Sequence, residues 1–218
     1  MSRQFDLIVF DWDGTLMDST ALIVRSLQAA CADLGLPVPD DVRAAHVIGL
    51  SLADAIHYLL PDVPDSAHQQ VAERYRYHFL TDADTLVLFD GVPALLASLH
   101  ARGHQLAVAT GKARRGLDRV LLGSGIEHLF VATRCADESF SKPHPGMLLE
   151  LMDECLVEPS RTLMIGDTTH DLQMARNAGT AGLAVSYGAH PLPVLQAEAP
   201  LAIVHDIPAL QDWLACNG

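Results

Sequence analysis

Positive charge is scarce in this chain. Its 218 residues hold 14 Lys and Arg against 27 Asp and Glu, a formal net charge of −13 at pH 7. A surface so acidic repels polyanions, and there is neither a basic block nor an aromatic-rich stretch for stacking bases, so nucleic acid is excluded as a partner. Cysteine is equally sparse. Cys31, Cys135, Cys155 and Cys216 lie far apart without a C-x-x-C pair, which excludes a disulfide framework and a zinc knuckle and leaves reduced, mostly buried thiols. Half the residues are hydrophobic, yet no run approaches the roughly 20 apolar residues of a membrane helix. The opening "MSRQFDLIVFDWDG" has one Arg and an apolar run broken by Asp6 and Asp11, unlike a secretory signal, so a cytoplasmic protein with no membrane partner is expected. Repeats, low-complexity segments and an H-E-x-x-H pair are also missing. His100 and His104 have i,i+4 spacing, but Gly103 between them favours a surface helix end over a metal site.

What is present is an alternation. Short apolar runs at Phe5 to Phe10, Gln105 to Thr110, Phe130 to Thr133, Leu163 to Ile165, Leu183 to Val185 and Ala202 to Val204 read as buried parallel strands. Amphipathic segments lie between them, one with Pro93 near its start and Gly103 past its end, another from His170 to Ala178 stopped by Gly179. The expected fold is α/β, a doubly wound, Rossmann-like parallel sheet. From Met17 to Asp84 no strand is convincing. Leu22, Ile23, Ser26, Leu27, Ala30, Cys31 and Leu34 trace one helix face ending at Gly35; Leu52, Ala55, Ile56 and Leu59 trace a second; Val71, Tyr75, His78 and Phe79 a third. An all-helical insert, 17–84, is therefore expected inside an α/β core made of 1–16 and 85–218, with "MDST" and "TDADTLVLFDG" as its hinges.

Three of the proposed strands end in polar residues beside a glycine. These are "IVFDWDG" with Asp11 and Asp13, "AVATGK" with Thr110, Gly111 and Lys112, and "LMIGDTTHD" with Asp167 and Asp171. In a parallel sheet all carboxyl ends share one edge, where such folds bind ligands. A fourth segment, "SKPHPG", aims Lys142 from a stiff position before Pro143. Asp11 and Asp13, two positions apart, either open a loop and cap a helix or share a cation or a proton. Gathered with the other acids they can hold a hard divalent cation such as Mg2+, which takes oxygen ligands and bridges to phosphate oxygens. Lys142 and Thr110 then neutralise the remaining phosphoryl oxygens. "GK" at Gly111 and Lys112 is no nucleotide-binding loop, since the nearest preceding glycine is Gly103 and Ala113 stands where Ser or Thr is needed.

In order and spacing, "DWDGT", "TGK", "KP" and "GDTTHD" resemble the four motifs of the haloacid dehalogenase superfamily, and the helical insert is similar to the cap of its phosphoglycolate phosphatase-like branch. The resemblance spans nearly the whole chain. It implies a phosphatase acting on a small phosphate monoester, with Asp11 as the nucleophile that forms an aspartyl-phosphate and Asp13 as the acid and then base. It implies that Thr110, Gly111 and Lys142 hold the phosphoryl group. Asp11, the backbone carbonyl of Asp13, and Asp167 would bind Mg2+, with Asp171 ligating or supporting the metal. Gly111 departs from the Asn usual in related phosphatases. A sugar phosphomutase using the same intermediate, or a regulatory protein that kept the fold and lost the chemistry, are the alternatives; all the key acids and the lysine are present.

Elsewhere the residues read more plainly. Asp18 and Ser19 are expected to cap a helix, and Lys112 either is a solvated loop lysine or touches substrate. His144 and His170 lie inside motifs and are expected either behind the residues that touch substrate or at the rim, not as catalytic bases. Arg25, Arg43, Arg74 and Arg76 read as surface charges, one of which can face the site. Gly49 and Leu50, in "HVIGLSL", belong to a candidate loop over the site.

Overall fold

The computed structural model describes residues 4–217. Strands β1 (Leu7–Phe10), β2 (Gln105–Thr110), β3 (Ala132–Cys135), β4 (Thr162–Gly166), β5 (Ala181–Val185) and β6 (Ala202–Val204) form one sheet of six strands in the order β3-β2-β1-β4-β5-β6. Every pairing is parallel. β1 is buried along its whole length, as a central strand covered on both faces must be. Its alternate side chains feed two cores. Ile8 and Phe10 join Leu106, Val108, Leu163 and Ile165 on one face; Leu7 and Val9 join Ala107, Ala109 and Met164 on the other.

The helices that cover these faces are α5 (Val92–Ala101), α6 (Arg114–Ser124) and α10 (Ile207–Asn217) on the first, and α7 (Gly146–Cys155) and α8 (Thr169–Ala178) on the second. Between β1 and α5 the α-helices are α1 (Thr20–Asp33), α2 (Asp41–His46), α3 (Leu52–Leu59) and α4 (Asp65–Asp82), with no strand among them. α1, α3 and α4 share a separate core with Val47, the residue after α2, in which Leu27 and Cys31 meet Val47, Ile56, Leu59 and Val71. The two connections to this segment run side by side, with Asp18 N–H donating to Val87 O at 3.0 Å and Phe89 N–H to Leu16 O at 3.0 Å.

The sequence missed α2 and misplaced one strand. α2 has six residues, too few for an apolar period, and is set by Asp40, whose carboxylate accepts the Arg43 N–H at 2.8 Å. β3 starts two residues later than expected because Glu127–Leu129 forms a 3-10 turn that Phe130 closes. His104 is no surface residue either: it is buried, with Nδ1 3.0 Å from the Phe5 carbonyl. Of the four thiols Cys31 and Cys135 are buried, Cys155 is partly so, and Cys216 is exposed.

Candidate active site

Strand order reverses about β1. The chain leaves β1 for β2 and β3 on one side and returns to β4 on the other, so the carboxyl ends of β1 and β4 flank a crevice at the switch point. Asp11 follows β1 there, its N–H donating to Ile165 O at 2.9 Å, which continues the β1–β4 ladder one residue beyond the strand and fixes the acid. Asp167 follows β4, and Asp171 sits in the first turn of α8. All three are fully buried, and one oxygen of each lies within 4.8 Å of the others.

Each of these acids is held differently. Asp11 Oδ1 accepts the Trp12 N–H at 2.7 Å and lies 2.8 Å from Lys142 Nζ. Lys142 also donates to Asp171 Oδ1 at 2.6 Å. Asp171 Oδ2 accepts the Thr168 hydroxyl and amide, closing a capping box on α8. Asp167 takes the Thr15 hydroxyl on one oxygen at 2.8 Å and the Ala189 N–H on the other at 2.7 Å. Asp11 Oδ2 is buried and has no hydrogen-bond partner among the described residues.

Burial pushes the Asp11 carboxyl well above the usual range, the attraction of Lys142 opposes this, and the neighbouring Asp171 and Asp167 add to it. Asp167 is pushed up to about 7, chiefly by burial and then by Asp171. Burial works against the Lys142 ammonium, but Asp11 and Asp171 outweigh it and hold the group charged above the usual lysine range. Three acids around one cation are short of positive charge. A divalent cation with oxygen ligands fits: one oxygen of each acid lies within 4.8 Å of the others, and Asp11 Oδ2 has no hydrogen-bond partner among the described residues.

Asp13 stands apart from that cluster. Its carboxylate accepts the Ser19 hydroxyl at 2.6 Å and the Lys112 ammonium at 2.8 Å. Two acids two positions apart are thus tolerated because each has its own lysine, Lys142 for Asp11 and Lys112 for Asp13. Ser19 occupies the N-cap position of α1 but makes no side-chain cap bond; its hydroxyl turns to Asp13 instead, which corrects the capping expectation. Lys112 is neither solvated nor free, lying over the Phe79 ring at 4.9 Å as well. Asp13, Gly111 and Lys112 line a cavity of about 600 Å3 between the helical segment and the sheet edge.

Thr110 ends β2, buried, its hydroxyl accepting the Lys112 N–H at 3.2 Å. A Cβ on Gly111 would strike the carbonyl oxygens of Gly49 and Leu50, so the glycine lets the loop of residues 47–51 come down onto the carboxyl end of β2. The same loop passes over Asp11: a Cβ on Gly49 would sit 3.9 Å from Asp11 Oδ2. Ser51 N–H donates to Ser141 Oγ at 2.9 Å, and the carbonyl of His46 takes two imidazole N–H groups, His170 Nε2 at 2.8 Å and His190 Nε2 at 3.0 Å. His190 Nδ1 accepts the Thr169 N–H, which leaves its proton on Nε2. His170 is buried behind the acids, one of the two places expected of it, while His46 and His190 had no signal in the sequence, lying outside the four motifs. Among the four arginines read as surface charges, Arg76 lines the cavity; Arg74 pairs with Asp33, Arg43 donates to Leu59 O at 3.2 Å, and Arg25 is exposed.

A doubly wound parallel sheet that gathers three buried acids and a lysine at its switch point defines the class: an α/β protein with a charged site where such folds bind ligands. Residues 8–185 match the family model described as haloacid dehalogenase-like hydrolase, and the chain belongs to that family. It is 38% identical over 204 residues, 91% of this chain and 88% of the other, to "Probable phosphatase IndB" of Dickeya dadantii (strain 3937). It is 31% identical over 199 residues, 86% of this chain and 88% of the other, to a phosphoglycolate phosphatase of Haemophilus influenzae (strain 86-028NP). The crystal structure of a predicted phosphoglycolate phosphatase from Haemophilus somnus 129pt superposes over the full length of both chains with a TM-score of 0.84 at 24% identity, a likeness of fold. The chain is a phosphatase of this family, in its phosphoglycolate phosphatase-like branch.

Proposed function

We propose that the protein hydrolyses small phosphate monoesters in two steps, through an aspartyl-phosphate on Asp11 and with Mg2+ held by Asp11, Asp167 and Asp171. The convergence of Asp11, Lys142, Asp167 and Asp171 in one buried cluster, with Asp11 Oδ2 unpartnered, carries this reading. Bound there, the cation would supply charge that draws the phosphoryl group toward the acids and offsets charge developing on its oxygens.

The Asp11 carboxylate attacks phosphorus, an acyl-phosphate bond forms, and the ester P–O bond breaks. Asp13, held toward the cavity by Ser19 and Lys112, protonates the departing alkoxide. Water then attacks the acyl phosphate, Asp13 takes its proton, and the Asp11–phosphate bond breaks to release inorganic phosphate. Lys142 and Thr110 neutralise and hydrogen-bond the transferring group. The segment 17–84 acts as a cap on a core of 1–16 and 85–218, its 47–51 loop excluding water while the acyl phosphate exists.

A panel of phosphomonoesters assayed with and without EDTA tests the reading. Chelation abolishes turnover, and Asp11→Asn lowers kcat by a factor of ~10^4 or more. Activity indifferent to EDTA, or kept by Asp11→Asn, sinks it. Isomerisation of a sugar phosphate without phosphate release would point to a mutase instead.

A further inference from the structure

Helix α4 is eighteen residues long yet buries Val71 alone. Its Tyr75 and Phe79, partly buried against the core of the helical segment, and Leu80, 51% exposed, also line the cavity. Ile23 and Leu27 of α1 and Val120 of α6 complete an apolar wall. Tyr75 and Phe79 lie with ring centroids 5.7 Å apart, tilted by 27°, presenting aromatic surface to whatever enters. The floor of the same cavity holds Asp13 and Lys112, whereas Asp11, Lys142, Asp167 and Asp171 are not part of its lining. If phosphorus sits at Asp11 and its leaving oxygen at Asp13, the alcohol half of the ester is the part that occupies the cavity.

Size and charge then restrict that alcohol. At ~30 Å3 per water the cavity holds about twenty waters, far more room than a two-carbon hydroxy acid fills. Within the wall the cation beside the reacting centre is Lys112, already bound to Asp13 and stacked on Phe79. The other lining cations, Arg76, Arg115 and Arg119, are exposed at the opening, and Arg119 pairs with Asp84 at 2.8 Å. A carboxylate one carbon from the phosphate would thus face an apolar wall and, beside the reacting centre, no cation other than Lys112, whose charge Asp13 already pairs. A ring-bearing body fits the wall, and any polar tail reaches the arginines at the mouth.

We infer that the natural substrate is a phosphomonoester whose leaving alcohol carries a bulky, largely apolar ring system, not a short hydroxy acid such as glycolate. This rests on the phosphatase reading above. Burial of apolar surface in the ground and transition states alike raises kcat/KM by about fourfold per buried methylene equivalent.

The test is a series of primary-alcohol esters, which keeps leaving-group basicity nearly constant: ethyl, 2-phenylethyl and 2-(1-naphthyl)ethyl phosphate, with phosphoglycolate alongside, each assayed with Mg2+. We expect kcat/KM to rise by about a hundredfold from ethyl to naphthylethyl phosphate, and phosphoglycolate to do no better than ethyl phosphate. Tyr75→Ala and Leu80→Ala each shrink the naphthylethyl-to-ethyl ratio by severalfold or more. Turnover that is flat across the series, or highest for phosphoglycolate, overturns the inference and leaves the phosphatase reading intact. No turnover of any ester with Mg2+ overturns both.

Discussion

Lys142 is the residue on which the buried acids depend. Its side chain is wholly inaccessible, with Asp11 at 2.8 Å and Asp171 at 2.6 Å. Breaking a buried pair leaves uncompensated charge, at a cost of about 3–5 kcal/mol. Lys142→Met should therefore abolish phosphatase activity and destabilise the metal-free protein by that order near pH 8. Near pH 5 the loss should be smaller, because a proton on Asp11, whose carboxyl is already pushed up by burial, takes over part of the lysine's role. Urea denaturation of both proteins at the two pH values measures this, and equal stability near pH 8 would refute it. Lys142 and the acids were legible in sequence because each lies just past a strand end, in the first turn of the helix that follows or before a proline, where residue type and place together are informative. Ser19 and Lys112 were not, since a serine before a helix and a lysine in a loop have commoner employments, and only three-dimensional proximity to Asp13 distinguishes them.

At the scale of elements, the 47–51 loop joins the helical segment to the carboxyl edge of the sheet. It is pinned by His170 and His190 on one side and Ser141 on the other, and it rests on Gly111. The departure at Gly111 thus has a steric reason: a side chain there meets the backbone carbonyls of Gly49 and Leu50. Gly111→Asn should lift the loop, lowering kcat/KM by about tenfold or more through KM and kcat together, while leaving the melting temperature within a few degrees, since both ends of the loop stay anchored. Steady-state kinetics with a melting scan decides it; unchanged kinetics would show that the loop does not need this glycine. The clamp also carries a pH dependence. Burial pushes His190 down to about 4, with His170 adding to it, and pushes His170 down as well. A histidine depressed in the folded state adds stability above its unfolded pKa of about 6.5 and loses it as pH falls toward 4. Replacing His190 by Gln, which keeps an N–H donor but cannot titrate, should flatten the fall in melting temperature over that window; an unaltered slope would mean that His190 does not titrate with unfolding. The loop was readable through Gly49 and Leu50, but the clamp was not, because it joins residues 46, 170 and 190, linked by no local pattern. α2, too, is a six-residue helix set by a single cap, which leaves no periodic trace.

For the whole molecule, the α/β sheet was legible because central parallel strands are apolar on both faces, and the helical segment because three amphipathic patterns follow one another with no strand between them. What the alternation does not reveal is strand order, and it is the order, placing β4 beside β1, that brings Asp167 to Asp11. That juxtaposition makes the metal-free protein sensitive to pH in the sense opposite to the clamp. Asp167 is raised from 3.8 to about 7, so its burial is harmless below about pH 4, where the acid is protonated folded or unfolded, and stability is lost as pH rises through 7, by on the order of 4 kcal/mol for three units. Asp11, raised likewise, adds to the loss. A divalent cation binds the deprotonated acids and removes this penalty, while near pH 5 protons compete with it. Saturating Mg2+, which at a hundred times its Kd stabilises by about 2.7 kcal/mol, should accordingly raise the melting temperature strongly near pH 8 and little near pH 5. In Asp167→Asn, which removes one ligand and its titration together, the metal-free protein should gain stability near pH 8 relative to wild type and respond weakly to Mg2+. Calorimetric scans of both proteins at the two pH values, with Mg2+ or EDTA, separate these outcomes: a wild-type Mg2+ shift of the same size at both pH values would mean that the ion does not bind at the three buried carboxylates.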